Sequence, residues 1–362
     1  MTQKILIVAV SILCASSVSA AACLKGNSKG RVFTQRRDNC NSSILEIEIQ
    51  EHLKSWITTL LIPAFYAMVL SFGLPANGLA LWVFVFKIKK MPSTLLLLNL
   101  AVADMLFMMV LPFKIIYHFS GNNWIFGETL CKIVTSVFYG NMYCSVFFLM
   151  AISIDRYLAL VHPFSSKSLR GWKASITISV GIWLVVASGT SIFLIVPQTK
   201  KIHQPSITTC HEILATCVGY EWYKQYFLGL FIVGFAIPLL VILFCYLPVL
   251  VVLTRMKEAH RNVKLLIFLV LLTFIVFFTP SNILNLFHYT EKDWECETRL
   301  YMWYLVALAM TSVNSCIDPF LYYYTSQNFS KVVKQSLFGE NSTSLKSTKL
   351  AVSSDNKEGG RN

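Results

Sequence analysis

The sequence predicts an all-α membrane protein: a seven-transmembrane helix bundle followed by a short amphipathic eighth helix. Three observations carry that prediction. Hydrophobic residues make up 55% of the chain and charged residues only 14%, a balance that calls for lipid rather than water as solvent. Seven long apolar segments follow one another with short connections between them. Lys and Arg gather in those connections, as the positive-inside rule expects of cytoplasmic loops.

The elements follow in order. Residues 1–22 have the form of a secretory signal, with Lys4 as the basic start, Ile5 to Leu13 as the apolar middle and Val18-Ser19-Ala20 as a small-residue cleavage site. That apolar run is too short to span a bilayer. Its removal leaves residues 23–56 outside the cell, where Asn41-Ser42-Ser43 is a usable glycosylation sequon. The bundle occupies residues 57–325. Its spans run from Ile57 to Phe86, Ser93 to His118, Leu130 to Leu160, Trp172 to Val196, Tyr223 to Leu253, Val263 to Tyr289 and Leu300 to Thr325. In lipid each must be a helix, because no other open structure satisfies its own backbone.

The cytoplasmic loops then carry Lys87, Lys89 and Lys90, next Lys167, Arg170 and Lys173, and next Arg255, Lys257, Arg261 and Lys264. The net charge of +13 is thereby explained as orientation in a membrane, with anionic lipid as a partner and no role for nucleic acid. Residues 326–338 repeat Phe329, Val332, Val333 and Leu337 at helical spacing around Lys331 and Lys334, the pattern of a helix lying on the inner leaflet. Residues 339–362, rich in Ser, Thr, Lys and Asn, read as a disordered cytoplasmic tail.

Charges in lipid are costly, so the few present mark function. Asp104 lies midway through the second span, with Ser145 in the third and Asn314 and Asp318 in the seventh at compatible depth. Two carboxylates and polar oxygens at one depth suit a sodium ion as allosteric modulator; no other cofactor is expected. Asp155-Arg156-Tyr157 closes the third span, where an Arg can lock to its neighbouring Asp at rest and swing away on activation. Asp318-Pro319-Phe320-Leu321-Tyr322 ends the seventh, Pro280 interrupts the sixth, and Pro238 interrupts the fifth with Tyr246 two turns below it. Each proline removes a backbone hydrogen bond and permits a hinge. No catalytic triad, metal cluster or phosphate loop is present, so no enzyme is expected.

From Trp56 to about Leu337 the chain resembles the rhodopsin-class G-protein-coupled receptors, through Asn77, Leu100 to Asp104, Asp155-Arg156-Tyr157, Trp183, Pro238, Pro280 and Asp318-Pro319 to Tyr322. Phe278 stands where that class usually has Trp, and Asp318 replaces the commoner Asn. The resemblance narrows to the protease-activated receptors on Leu111-Pro112-Phe113-Lys114, Gly121-Asn122-Asn123-Trp124, Phe138 to Ser145, Ile207 to His211, Thr279-Pro280-Ser281-Asn282 and Asn314 to Pro319. Ser28-Lys29-Gly30-Arg31 is similar to the activation site of the trypsin-sensitive member.

The resemblance implies a plasma-membrane receptor cut after Arg31 by a trypsin-like serine protease, whose acidic pocket holds Arg or Lys. The new N-terminus at Val32, followed by Phe33, Thr34, Gln35, Arg36 and Arg37, becomes a tethered agonist. Residues 23–31 are the discarded propeptide and 32–56 the tail carrying the ligand. Candidate receiving residues are His211 and Glu212 in the second outer loop, with Tyr117, His118 and Tyr289 on the pocket rim. The family pattern implies a Cys131–Cys210 disulfide, and topology permits a second between Cys40 and Cys296. Cys23 and Cys217 stay unassigned. A heterotrimeric G protein of the calcium-mobilising class, arrestin and receptor kinases are the implied inner partners. A receptor of the same fold for a diffusible nucleotide or lipid, held by Lys114 and Arg299, is the alternative. A transporter is disfavoured by the lack of evident inverted repeats.

Overall fold

The computed structural model describes residues 53–88, 91–164, 171–202, 206–211, 220–255, 261–290 and 294–338. The signal and tail expectations, among them Arg31 to Arg37, Cys40 and Asn41, lie outside these residues, as does 339–362. Seven helices long and apolar enough to cross a membrane follow in order: α1 (Ile57–Phe86), α2 (Pro92–Phe119), α3 (Gly127–Val161), α4 (Trp172–Ile195), α5 (Gln225–Leu253), α6 (Asn262–Phe287) and α7 (Met302–Thr325). Helix α8 (Gln327–Phe338) follows. Strands β1 (Thr199–Ile202) and β2 (Ile207–Cys210) form an antiparallel hairpin between α4 and α5, pairing Thr199 with Cys210 and Ile202 with Ile207.

The spans agree with the expected ones closely, and the largest differences are at outer ends. Helix α3 starts at Gly127, a turn before the expected Leu130, and the helix that contains α7 starts at Trp294 rather than Leu300. The extra turn of α3 holds Glu128, whose charge suits the positive end of a helix while depressing local hydropathy.

Helix α3 is the axis of the bundle. It packs against α2, α4 and α5, and its buried residues run from Cys131 to Ser153. The opposite surfaces of the outer helices expose Phe72, Leu184, Leu240 and Phe244, which in water would be an aggregation hazard and in hydrocarbon are the natural outside. Helix α8 turns Phe329 into the bundle, where its ring stacks on Phe84 at 5.1 Å and meets Tyr322 at 6.1 Å, leaving Lys331 and Lys334 exposed.

Three helices open into a wide turn, and each wide turn ends two residues before a proline. They are Ile57–Leu61 ahead of Ile62-Pro63, Ile232–Ala236 ahead of Ile237-Pro238, and Thr273–Phe278 ahead of Thr279-Pro280. In each, the pre-proline N–H donates to a carbonyl five residues back: Ile62 to Ile57, Ile237 to Ile232 and Thr279 to Phe274. Proline lacks an N–H and its ring crowds the residue before it, and a widened turn relieves that crowding. Pro75, Pro112, Pro248 and Pro319 lie inside ordinary helix, so a proline permits the wide turn without dictating it.

The wide turn of α5 brings Gly234 against α3. A Cβ at Gly234 would stand 2.5 Å from Tyr143 Cε1 and 2.8 Å from its Cδ1, and that ring is itself buried. Gly234→Val is therefore expected to lower the stability of the purified receptor by about 1–3 kcal/mol through overpacking. Gly229→Ala, whose Cβ would meet nothing within 4 Å, is the control expected to leave it unchanged. Melting temperatures in detergent test both, and an unaltered Gly234→Val would refute the close approach.

Candidate functional site

Three polar assemblies lie along the bundle axis, the first under the outer hairpin. The Cys131–Cys210 disulfide, Cα–Cα 5.8 Å, ties the end of β2 to the first turns of α3. Glu128, one turn above Cys131, holds the start of the hairpin. Its Oε1 accepts from the Gln198 N–H at 2.7 Å, and its Oε2 accepts from the Thr199 N–H at 2.8 Å and from the Thr199 hydroxyl. The loop between α2 and α3 runs beside β2: the Trp124 N–H donates to Thr208 O at 2.7 Å, and the Thr208 N–H donates to Asn123 Oδ1 at 2.9 Å. These bonds fix the hairpin over the mouth of the bundle. Glu128→Gln is expected to loosen it, because charge-assisted bonds become neutral ones and one acceptor oxygen becomes a donor facing an N–H or hydroxyl. A response to applied agonist peptide weakened at normal surface level is the outcome to look for; an unchanged dose–response curve would contradict it.

His211 follows the disulfide cysteine with a left-handed backbone, φ 66°. Its N–H donates to Gln198 O at 2.8 Å and its Nδ1 lies 2.7 Å from Gln198 Oε1. Gln198 Nε2 donates to Val196 O at 3.0 Å, which orients the amide and makes Oε1 the acceptor. Neutral His211 thus carries its proton on Nδ1 and presents the Nε2 lone pair to the Tyr139 hydroxyl, 3.1 Å away. That hydroxyl is 2.9 Å from the Tyr304 hydroxyl on α7. The Tyr139 ring stacks on Phe193 at 4.9 Å, and Phe193 meets His211 edge-on at 5.3 Å. An imidazole, two phenols and a phenyl ring from the hairpin, α3, α7 and α4 therefore form one floor beneath the hairpin.

Among the described receiving candidates, His211, Tyr117 and His118, the first belongs to this floor. Tyr117 and His118 were expected on the rim and are instead buried, at 0% and 3% exposure. His118 Nδ1 pairs with Asn122 Oδ1 at 2.7 Å, and Asn122 Nδ2 donates to Leu53 O at 2.5 Å and Thr58 Oγ1 at 3.2 Å. His118 is thus part of a clamp tying the start of α1 to the loop after α2. Tyr117 packs edge-on against Trp124 at 5.8 Å, with Lys114 Nζ 5.9 Å from its ring centre. Glu212 and the side chains of Tyr289 and Cys296 lie outside the described residues. Tyr139 and Tyr304 went unrecognised because an apolar span makes a tyrosine look like core. A signal existed: Cys131, Thr135 and Tyr139 recur at one-turn spacing on one face of α3, and Thr135 Oγ1 lies 3.9 Å from Cys210 Sγ.

The second assembly is at mid-depth. Asp104 is fully buried; its Oδ1 accepts from Ser315 Oγ at 2.7 Å and its Oδ2 from the Tyr322 hydroxyl at 3.2 Å. Asn77 Nδ2 donates to Ser315 O at 2.6 Å, Asn141 Nδ2 to Ser315 Oγ at 3.2 Å, and Asn314 Nδ2 to Asp318 Oδ2 at 3.0 Å. Helices α1, α2, α3 and α7 thus meet in one network. Ser145 Oγ, Asn141 Oδ1 and Asn314 Oδ1 are buried without a hydrogen-bond partner among the described residues. A small cavity lined by Asn141, Ser312 and Asn314 adjoins the two asparagines. Buried oxygens in that condition suit water or a cation, and the donor set is all oxygen. Ser315, Tyr322, Asn77 and Asn141 enlarge the four-residue set expected from the sequence.

The third assembly is at the inner end. Arg156 Nη2 lies 3.0 Å from Asp155 Oδ2, and the Tyr157 hydroxyl 3.1 Å from His162 Nε2. Tyr246 is buried on α5, and Tyr322 links this level to Asp104 above. Asp155 and Arg156 are thus paired with each other in this structure.

Residues 76–322 match the 7 transmembrane receptor (rhodopsin family) profile. Proteinase-activated receptor 4 of Homo sapiens is 40% identical over 286 residues, covering 79% of this chain and 74% of that protein. Proteinase-activated receptor 3 of Homo sapiens is 40% identical over 277 residues, covering 76% and 74%. Proteinase-activated receptor 2 of Homo sapiens is 34% identical over 366 residues, covering 95% and 92%. The chain therefore belongs to the proteinase-activated receptors of the rhodopsin-family seven-helix receptors, and is a multi-pass plasma-membrane receptor rather than an enzyme.

Proposed function

We propose that this receptor is switched on by trypsin-like cleavage after Arg31, with the new N-terminus at Val32 acting as its tethered agonist. The observation that carries the reading is the roofed floor of His211, Tyr139, Tyr304 and Phe193, a polar and aromatic surface held rigid by the disulfide and Glu128. A short extended segment led by an ammonium and followed by Phe33 offers complementary chemistry. Twenty residues separate Val32 from Leu53, a reach of up to about 70 Å. Tethering supplies a high effective concentration, so modest intrinsic affinity suffices. The ligand shifts the bundle only through better contacts with the active state. Opening of the Asp155–Arg156 pair and of the inner ends would admit a calcium-mobilising G protein, with receptor kinases and arrestin acting on the inner tail.

A sodium ion would be held by Asp104, Ser145, Asn314 and Asp318 and would supply a positive charge favouring the resting bundle. The pairing of Cys40 with Cys296 and glycosylation at Asn41 complete the outer tail in this reading.

The test is intracellular calcium in cells expressing the parent and Arg31→Ala at matched surface level, pulsed with trypsin. A response in the parent that vanishes in the variant is expected. Equal responses would move the cut to Lys29, Arg36 or Arg37. Silence in both would point to another G protein or a diffusible ligand.

A further inference from the structure

A cleft of about 340 Å³ opens on the lipid-facing side of α3, α4 and α5. Tyr143 and Phe147 form its back wall, Val185 and Gly189 one side, and Gly229 and Val233 the other. Gln225 lies at the outer end of α5, and Gly234, packed on Tyr143, closes the cleft at depth. The nine residue-to-residue steps of helix from one to the other span about 14 Å, roughly the thickness of one hydrocarbon leaflet. The space is a real opening between helices: a Cβ at Gly229 would meet nothing within 4 Å, and one at Gly189 only Leu230 Cδ2 at 3.8 Å.

Polarity is distributed unevenly. The Ser188 hydroxyl donates to Val185 O at 2.8 Å and the Tyr226 hydroxyl donates to Gly189 O, so both are engaged by backbone carbonyls. The exposed amide of Gln225 stands at the outer mouth, at the depth of the water interface. No described lining residue is charged. A phospholipid headgroup selects Lys or Arg, whereas a neutral amide suits a single hydroxyl.

We propose that this cleft is a binding site for a sterol of the outer leaflet, its hydroxyl on Gln225 and its fused rings lying along Gly189, Gly229 and Val233. A rigid ring system of one-leaflet length loses less conformational entropy here than an acyl chain would. Val233 and Gly234 belong to the wide turn ahead of Pro238, so the occupant touches that widened turn of α5.

Purified receptor in phosphatidylcholine nanodiscs, labelled with a diazirine-bearing cholesterol analogue and mapped by peptide mass spectrometry, tests the site. Label on the α3 and α5 segments around Tyr143 and Tyr226, displaced by cholesterol, is expected. Gly229→Leu fills the cleft and should abolish that label at an unchanged melting temperature. Gln225→Leu should retain label but lose the preference for cholesterol over its 3-keto analogue. Undiminished label in folded Gly229→Leu, label mapping elsewhere, or displacement by added phosphatidylcholine as effective as by cholesterol would each overturn the proposal. Should Gly229→Leu not fold, Gln225→Leu decides, since a hydroxyl preference that survives it is equally fatal.

Discussion

Cys210→Ser is expected to remove most of the receptor from the cell surface and to silence the fraction that arrives. The Cys131–Cys210 bond closes a loop with a sequence separation of 79 residues, for which chain entropy alone gives about 4–5 kcal/mol. That is comparable to the whole stability margin of many domains. The loss is also local. Cys210 is the last residue of β2, paired with Thr199, which Glu128 holds. His211 comes next, and its left-handed backbone and bond to Gln198 depend on the hairpin staying in register. Releasing the cysteine frees the residue that presents an imidazole to Tyr139. Cys131→Ser should behave in the same way, and the double variant should be no worse than either single one, because the two side chains act as one bond. Surface labelling and the response to applied agonist peptide measure both consequences. A single variant with normal surface level and an unshifted dose–response curve would show that Glu128 and the Trp124–Thr208 bonds hold the hairpin without the disulfide.

The spans were legible because lipid makes hydropathy and helix nearly the same signal. Every boundary error came where that equivalence ends, as in the polar first turn of α3 around Glu128. The mid-depth network was partly legible for the same reason: Asp104 and Asp318 stand out in apolar surroundings, whereas Ser315 and Asn77 look like ordinary small or polar helix residues until α1 and α7 are seen to meet. Tyr139 and Tyr304 were invisible because their role depends on a hydroxyl pair across two helices far apart in the chain. Tyr117 and His118 misled because polar rings at the outer end of a span look like a rim, and only packing against α1 and Trp124 shows them covered. The wide turns need the helix geometry itself, since the seven prolines past the first residue of a span look alike and three carry one.

Asp104→Asn is expected to leave the receptor folded and at the surface while severely impairing its ability to switch. The substitution keeps shape and removes charge. Asp104 offers two acceptor oxygens to two hydroxyl donors, Ser315 at 2.7 Å and Tyr322 at 3.2 Å, both on α7. An asparagine in the same place offers one acceptor and one NH₂, so one hydroxyl must turn away or accept instead. Asp104→Ala would be worse, leaving both donors buried and unsatisfied at about 1–3 kcal/mol each. Because Ser315 also touches Asn141 on α3 and its carbonyl is held by Asn77 on α1, the disturbance reaches four helices. Tyr322 lies between this network and the inner end, edge-on to Phe84 and Phe329. Loosening its hydroxyl therefore reaches the packing of α8 and the face that opens to a G protein. A double-mutant cycle with Tyr322→Phe should show coupling of at least about 0.5 kcal/mol, since each change removes the same bond. If Asp104, Ser145, Asn314 and Asp318 hold sodium, agonist potency in the parent should fall as external sodium replaces choline, and Asp104→Asn should abolish that dependence. Calcium dose–response curves at matched surface level, in both media, measure all three effects. An Asp104→Asn receptor that signals normally and keeps its sodium dependence would mean that the buried carboxylate is structural filling, and would move the switch to the Asp155–Arg156 pair alone.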